Sequence, residues 1–85
     1  MVKSYTVTCN LIEIQTRKKK VIDLVRRGKC VGFGGTGDKV TFHFPTRGSA
    51  MFAFLELEGF LDNVSVSSSP LFIEEKKLKG VFKYD

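Results

Sequence analysis

Tryptophan is absent from this 85-residue chain, and histidine, cysteine and proline are scarce, at one, two and two residues respectively. Each shortage removes a class of function. The lone histidine, His43, has no carboxylate or nucleophile at a recognisable motif spacing, so it reads as a polar residue on a sheet surface and not as a general base. Cys9 and Cys30 have no CxxC arrangement, and with one histidine they make a poor metal site. So few cysteines do not build a disulfide scaffold, and the expectation is two partly buried free thiols in a reducing, cytoplasmic compartment. No apolar run approaches the roughly 18 residues of a membrane span, and the N-terminus shows no signal-peptide pattern. No membrane, metal or cofactor is expected. Catalysis needs a constellation that is missing, so the reading is of a binding domain and not an enzyme.

What is present is a modest amount of core and an excess of positive charge. Hydrophobic residues make up 42% and aromatics 12%, eight of them phenylalanine, which is the balance of a globular protein. The length gives one domain, residues 1–85, with a single core. Fourteen Lys and Arg leave a net charge of +5, which favours a polyanionic partner or an acidic protein surface, although the same charge also keeps a small domain soluble.

The chain is organised around residues 30–44, CVGFGGTGDKVTFHF. They read as a β-hairpin with an apolar entry (Val31, Phe33), a glycine-rich loop and an alternating exit strand. Val40, Phe42 and Phe44 fall on one face of that strand, with Thr41 and His43 on the other. Upstream, residues 4–9 alternate as a first strand with Tyr5, Val7 and Cys9 inward. Asn10 and Glu13 have the form of a capping box, opening a helix over residues 11–27 whose stripe is Leu11, Ile14, Val21, Ile22 and Val25. Arg26 and Arg27 suit its last turn, and Gly28 suits the left-handed position beyond it. Lys18 falls inside the apolar stripe. The alternative is a first strand continued to Ile14 and a shorter helix capped by Thr16, but it sets three cations against the helix dipole.

Downstream, Thr46 caps a second helix over residues 47–58, with Ala50, Ala53, Phe54 and Leu57 buried, Met51 beside them, and Gly59 at its end. Phe52 points away from that stripe. After a turn at Asp62 and Asn63, residues 64–67 alternate as a strand, residues 71–73 form a short one, residues 74–79 are a solvated charge run, and residues 81–84 form an edge strand or a packed tail. The order gives an α+β, ferredoxin-like βαββαβ sandwich, one antiparallel sheet with two helices on one face and room for an extra C-terminal strand. The other face carries Thr6, Thr8, Thr41, His43, Ser65 and Ser67.

The stretch VTFHF, TRGSAMFAFLELEGF, a turn and VSV resembles the third strand, second helix and fourth strand of an RNA-recognition motif. The resemblance implies the ferredoxin-like fold. That family stacks bases on exposed aromatics of its first and third strands. Here Phe42 and Phe44 occupy the positions the family buries, and Lys39, Thr41 and His43 occupy the outward ones, so the stacking mode is not implied.

The glycine-rich loop reads either as a hairpin tip using glycine for positive φ or as an anion cradle. Its spacing is not that of a P-loop, and it joins strand to strand. As a cradle it gives a ligand-binding set of Gly34, Gly35, Thr36, Gly37, Lys39, Thr41 and His43. Arg17, Lys20 and Arg27 form a basic patch, either a solvated helix face or a phosphate contact. The expected function is a small basic binding domain for a phosphate-bearing ligand, a nucleotide or nucleic acid. The alternative is a protein-interaction module such as a small virus- or mobile-element-encoded inhibitor of a host protein. A small enzyme of the acylphosphatase kind is disfavoured because its phosphate-loop pattern is missing. Monomer and small homo-oligomer both remain open.

Overall fold

Strand β1, Val2–Asn10, runs through the middle of the sheet, because its alternating residues supply one apolar and one hydroxyl-bearing face. Val7 and Cys9 are buried on the apolar side, as the pattern predicts, and Tyr5 is half-buried there. The computed structural model describes residues 2–35, 37–67 and 69–74. The 75–79 part of the predicted charge run and the predicted 81–84 segment lie outside the described residues.

The hairpin forms beside β1. Strand β2 (Gly32–Gly34) pairs antiparallel with β3 (Lys39–Phe44), Phe33 opposite Phe42. Strand β3 then pairs antiparallel with β1 in a register from Tyr5 and Phe44 to Asn10 and Lys39. Two short strands bring the antiparallel sheet to five strands among the described residues. Strand β4 (Val64–Val66) lies along Val7–Cys9, and β5 (Leu71–Ile73) pairs with the first residues of β1, Ser4 opposite Leu71. The order is β2-β3-β1-β4, with β5 also on β1. The domain is therefore α+β.

Among the described residues three helices, not two, cover the apolar face. The predicted helix over 11–27 divides into α1 (Leu11–Thr16) and α2 (Lys18–Arg27) at Arg17, whose backbone sits at φ −128°, ψ 31°. The misfit in the apolar stripe accounts for the break. A straight helix carrying Ile14 and Val21 into the core would carry Lys18 with them, and the charge would lose its hydration. With the break, Ile14, Val21 and Val25 are buried and Lys18 stays exposed. Leu24 enters the core, whereas Ile22, expected there, is only half-buried.

The capping box also forms differently. Asn10 Oδ1 accepts from the Ile12 N–H at 3.0 Å, but Glu13 turns away from Asn10. Its carboxylate accepts instead from the backbone N–H groups of Asp62 (2.8 Å) and Asn63 (3.0 Å) and from Asn63 Nδ2 (3.2 Å), tying α1 to the turn before β4. At the end of α2, Gly28 is not left-handed, with φ −78°; Lys29 takes that role at φ 62°. Gly28 makes a close approach: a Cβ there would sit 3.1 Å from Phe44 Cε1, and the fully buried ring would have to give by a few tenths of an ångström.

Helix α3 (Arg47–Glu58) has the predicted limits. Thr46 Oγ1 accepts from the Ser49 N–H at 3.1 Å, and Ala50, Ala53 and Leu57 are buried. Met51, expected beside that stripe, is exposed. Side chains from both helical regions and the sheet join one core, with Phe44 and Leu57 its largest fully buried members.

Candidate functional site

The break at Arg17 has a spatial consequence. Helices α1 and α2 no longer close over the hairpin, and a cavity of about 240 Å³ opens between them and the β2–β3 pair. Leu11 and Ile14 come from α1, Val21 and Ile22 from α2, and Phe33, Val40 and Phe42 from the hairpin; Gln15 and Lys18 supply the polar lining. A second hollow, of about 200 Å³, continues from the same wall towards the loop. Leu11, Phe33 and Val40 line both, and Gly34, Gly35, Gly37 and Lys39 complete the second. Together they form a groove, apolar at the helix end and glycine-rich at the loop end, with a lysine lining each part.

The loop's glycines differ in their reason for being there. Gly35 (φ 142°) and Gly37 (φ 63°) hold left-handed backbone, and a Cβ on Gly35 would run into the Lys39 carbonyl oxygen. A Cβ on Gly34 or Gly37 would meet nothing, so both present open backbone to the hollow. Thr36 lies outside the described residues.

The rest of the predicted set goes elsewhere. Thr41 faces the other side of the sheet, where its hydroxyl lies 3.3 Å from that of Thr8. His43 is on that side too but is not a surface residue: it is 4% exposed, and its Nδ1 lies 3.0 Å from the Oγ of Ser4, itself fully buried. The chain returns at β5 to this end of β1, and Ser4 donates to the Leu71 carbonyl at 3.3 Å. A ring proton on Nδ1, donated to Ser4 Oγ, lets Ser4 accept from His43 and donate to Leu71 at once. Alternation along β3 correctly gives the face of His43; the solvation of that face depends on a strand 28 residues further along the chain.

The three residues of the basic patch have different surroundings. Arg17 marks the helix break, the Lys20 ammonium lies 4.3 Å from the centre of the Phe60 ring, and Arg27 lines a separate shallow hollow with Lys29, Thr46, Ser49 and Phe52. Burial holds the His43 imidazole below its ordinary range and therefore neutral. The Asp62 N–H, with further help from Asn63, holds the Glu13 carboxyl below its own. Burial pushes the Cys9 thiol up to about 12, with Glu13 adding to it, and Cys30 up to about 11, so both are poor nucleophiles. Both are free. Among the described residues no three His, Cys, Asp or Glu side chains come together to hold a metal, and no helix is long and apolar enough to cross a membrane.

Sequence reading found the loop and Lys39 but missed the apolar half of the groove. The signal was Lys18 itself, the one charge in an otherwise continuous stripe. Comparison of the chain with protein-family models, with curated proteins and with solved structures finds no match.

Proposed function

We propose that this domain is a binding module, not an enzyme, for a small phosphorylated ligand with an apolar or aromatic body, of which a nucleotide is the type. The observation that carries the reading is the wall that the two hollows share, Leu11, Phe33 and Val40, which sets the apolar one beside the glycine-rich one. Small-ligand sites are mostly apolar with a few placed polar groups, which suits a base or similar ring in the helix end of the groove. Open glycine backbone and Lys39 suit a phosphate at the loop end. Thr41 and His43 are not part of this site. The fold reading goes with it: traversed from the other edge, the order β4-β1-β3-β2 with every neighbour antiparallel supports a ferredoxin-like architecture.

The test is titration calorimetry with nucleoside monophosphates and a short oligonucleotide. Lys39→Ala and Phe33→Ala are each expected to weaken nucleotide binding by about 1–3 kcal/mol. Replacing Arg17 and Lys20 should lower affinity and its salt dependence only for the oligonucleotide, if that longer polyanion reaches the helix. Binding unchanged by both groove variants, or no binding of any phosphate ligand, overturns the reading.

A further inference from the structure

We infer that the outward face of α3 is a self-association surface on which a second copy of this chain packs antiparallel. This inference does not depend on the groove, which α3 does not line. Helix α3 carries two apolar stripes of identical spacing. Ala50, Ala53, Phe54 and Leu57 pack on the core, and Gly48, Met51, Phe52 and Leu55 repeat the same i, i+3, i+4, i+7 pattern on the outer side. Met51, Phe52 and Leu55 are 38%, 39% and 57% exposed. A helix that is apolar all round is ordinarily covered all round, and a surface helix is ordinarily polar on its outer side.

The outer stripe fits a copy of itself. A two-fold axis between Met51 and Phe52 sets Gly48 against Leu55 of the second copy, small against large, and Met51 against Phe52, a favourable sulfur–aromatic pair. There is room at Gly48, where a Cβ would have only Thr46 Oγ1 near it, at 4.0 Å. The flanking charges agree with this direction. At 100° per residue Arg47 and Glu58 lie on the same side of the stripe, at opposite ends of the helix. Antiparallel packing therefore brings Arg47 of one copy to Glu58 of the other, offset by about 3 Å along the axis. Parallel packing about a two-fold along the seam puts the two Arg47 residues on opposite flanks of the contact and Glu58 at the far end from both, so neither arginine meets a carboxylate of that pair. A helix of 12 residues is about 18 Å long, so the contact falls short of the roughly 800 Å² per partner of a tight complex, and the dimer is weak and concentration-dependent.

Sedimentation velocity on the full chain, from about 10 μM to about 1 mM, reads this directly. The expected result is a shift from monomer to dimer over that range. Leu55→Glu should abolish the shift without changing the circular dichroism spectrum. Arg47→Glu should weaken dimerisation about tenfold, and adding Glu58→Arg should restore it. Where Leu55→Glu lowers the melting temperature, Met51→Glu and the charge-reversal pair carry the same test. A chain that stays monomeric at every concentration overturns the inference and leaves the face to a different protein. A dimer that survives Leu55→Glu and Met51→Glu, or a charge reversal that is not rescued, overturns it as well.

Discussion

The two helical regions handle a surplus in opposite ways. The first, α1 and α2, has too much charge for a straight amphipathic helix. It breaks at Arg17, keeps Lys18 in solvent and leaves a groove against the hairpin. The second, α3, has too much apolar surface. It stays continuous, because nothing in its inner stripe resists burial, and presents the excess on its outer face. A stripe is thus a demand on the backbone only on the side that the core must cover. One misplaced charge there bends the chain, whereas three misplaced hydrophobes on the other side leave the helix intact.

The sharpest way to break that comparison is to truncate the two stripes of α3 separately. Leu57→Ala should cost about 2–5 kcal/mol, a large part of the stability of a domain this small. Leu55→Ala, measured at a concentration where the chain is monomeric, should stay within about 0.5 kcal/mol. Urea unfolding of the two variants gives both numbers, and equal losses would mean that the inner and outer faces are not distinct.

Acid sharpens the comparison from the side of α1, since Glu13 is what fastens that helix to the turn following α3. Glu13 and His43 both bind protons less readily in the folded chain than in the unfolded one. The unfolded chain therefore takes up more protons as the pH falls, and stability falls with it. For His43 the loss begins below the ordinary imidazole value of 6.5, and for Glu13 below the ordinary carboxyl value of 4.5. Urea midpoints measured from pH 8 downwards are expected to decline in these two stages. Glu13→Gln should remove the lower stage, and His43→Asn the upper one. A midpoint that stays flat between pH 7 and 5 would place His43 in solvent.

The smallest effect compares the helix ends. Helix α3 stops at Gly59 without left-handed backbone, whereas α2 hands on to Lys29 at φ 62°, a conformation that a residue with a Cβ adopts at a cost. Lys29→Gly should relieve that strain and stabilise the fold by about 0.5–1 kcal/mol, whereas Gly59→Ala should gain nothing from such relief. Thermal denaturation of the two variants checks the sign. Destabilisation by Lys29→Gly would remove the strain from the account.

Much of this protein was settled by its sequence alone, because the forces involved act between near neighbours. Period-two alternation fixed the faces of β1 and β3, and Thr46 with Gly59 fixed both ends of α3. The glycines of the hairpin marked a loop that needs positive φ, and Gly35 and Gly37 use it. The remaining features depend on distant parts of the chain. Periodicity locates Lys18 in the stripe, but only the competition between its hydration and the packing of Ile14 and Val21 on the sheet decides that the helix breaks and the groove opens. A capping box is a local motif, yet Glu13 leaves it for two backbone N–H groups almost fifty residues away, donors that exist only once the turn at Asp62 and Asn63 has been folded beside α1. His43 lies on the face that alternation assigns it, and its burial is decided elsewhere, by the return of the chain to Ser4 at the start of β1. Local pattern sets which way a side chain points; only the tertiary structure sets whether water or protein meets it there.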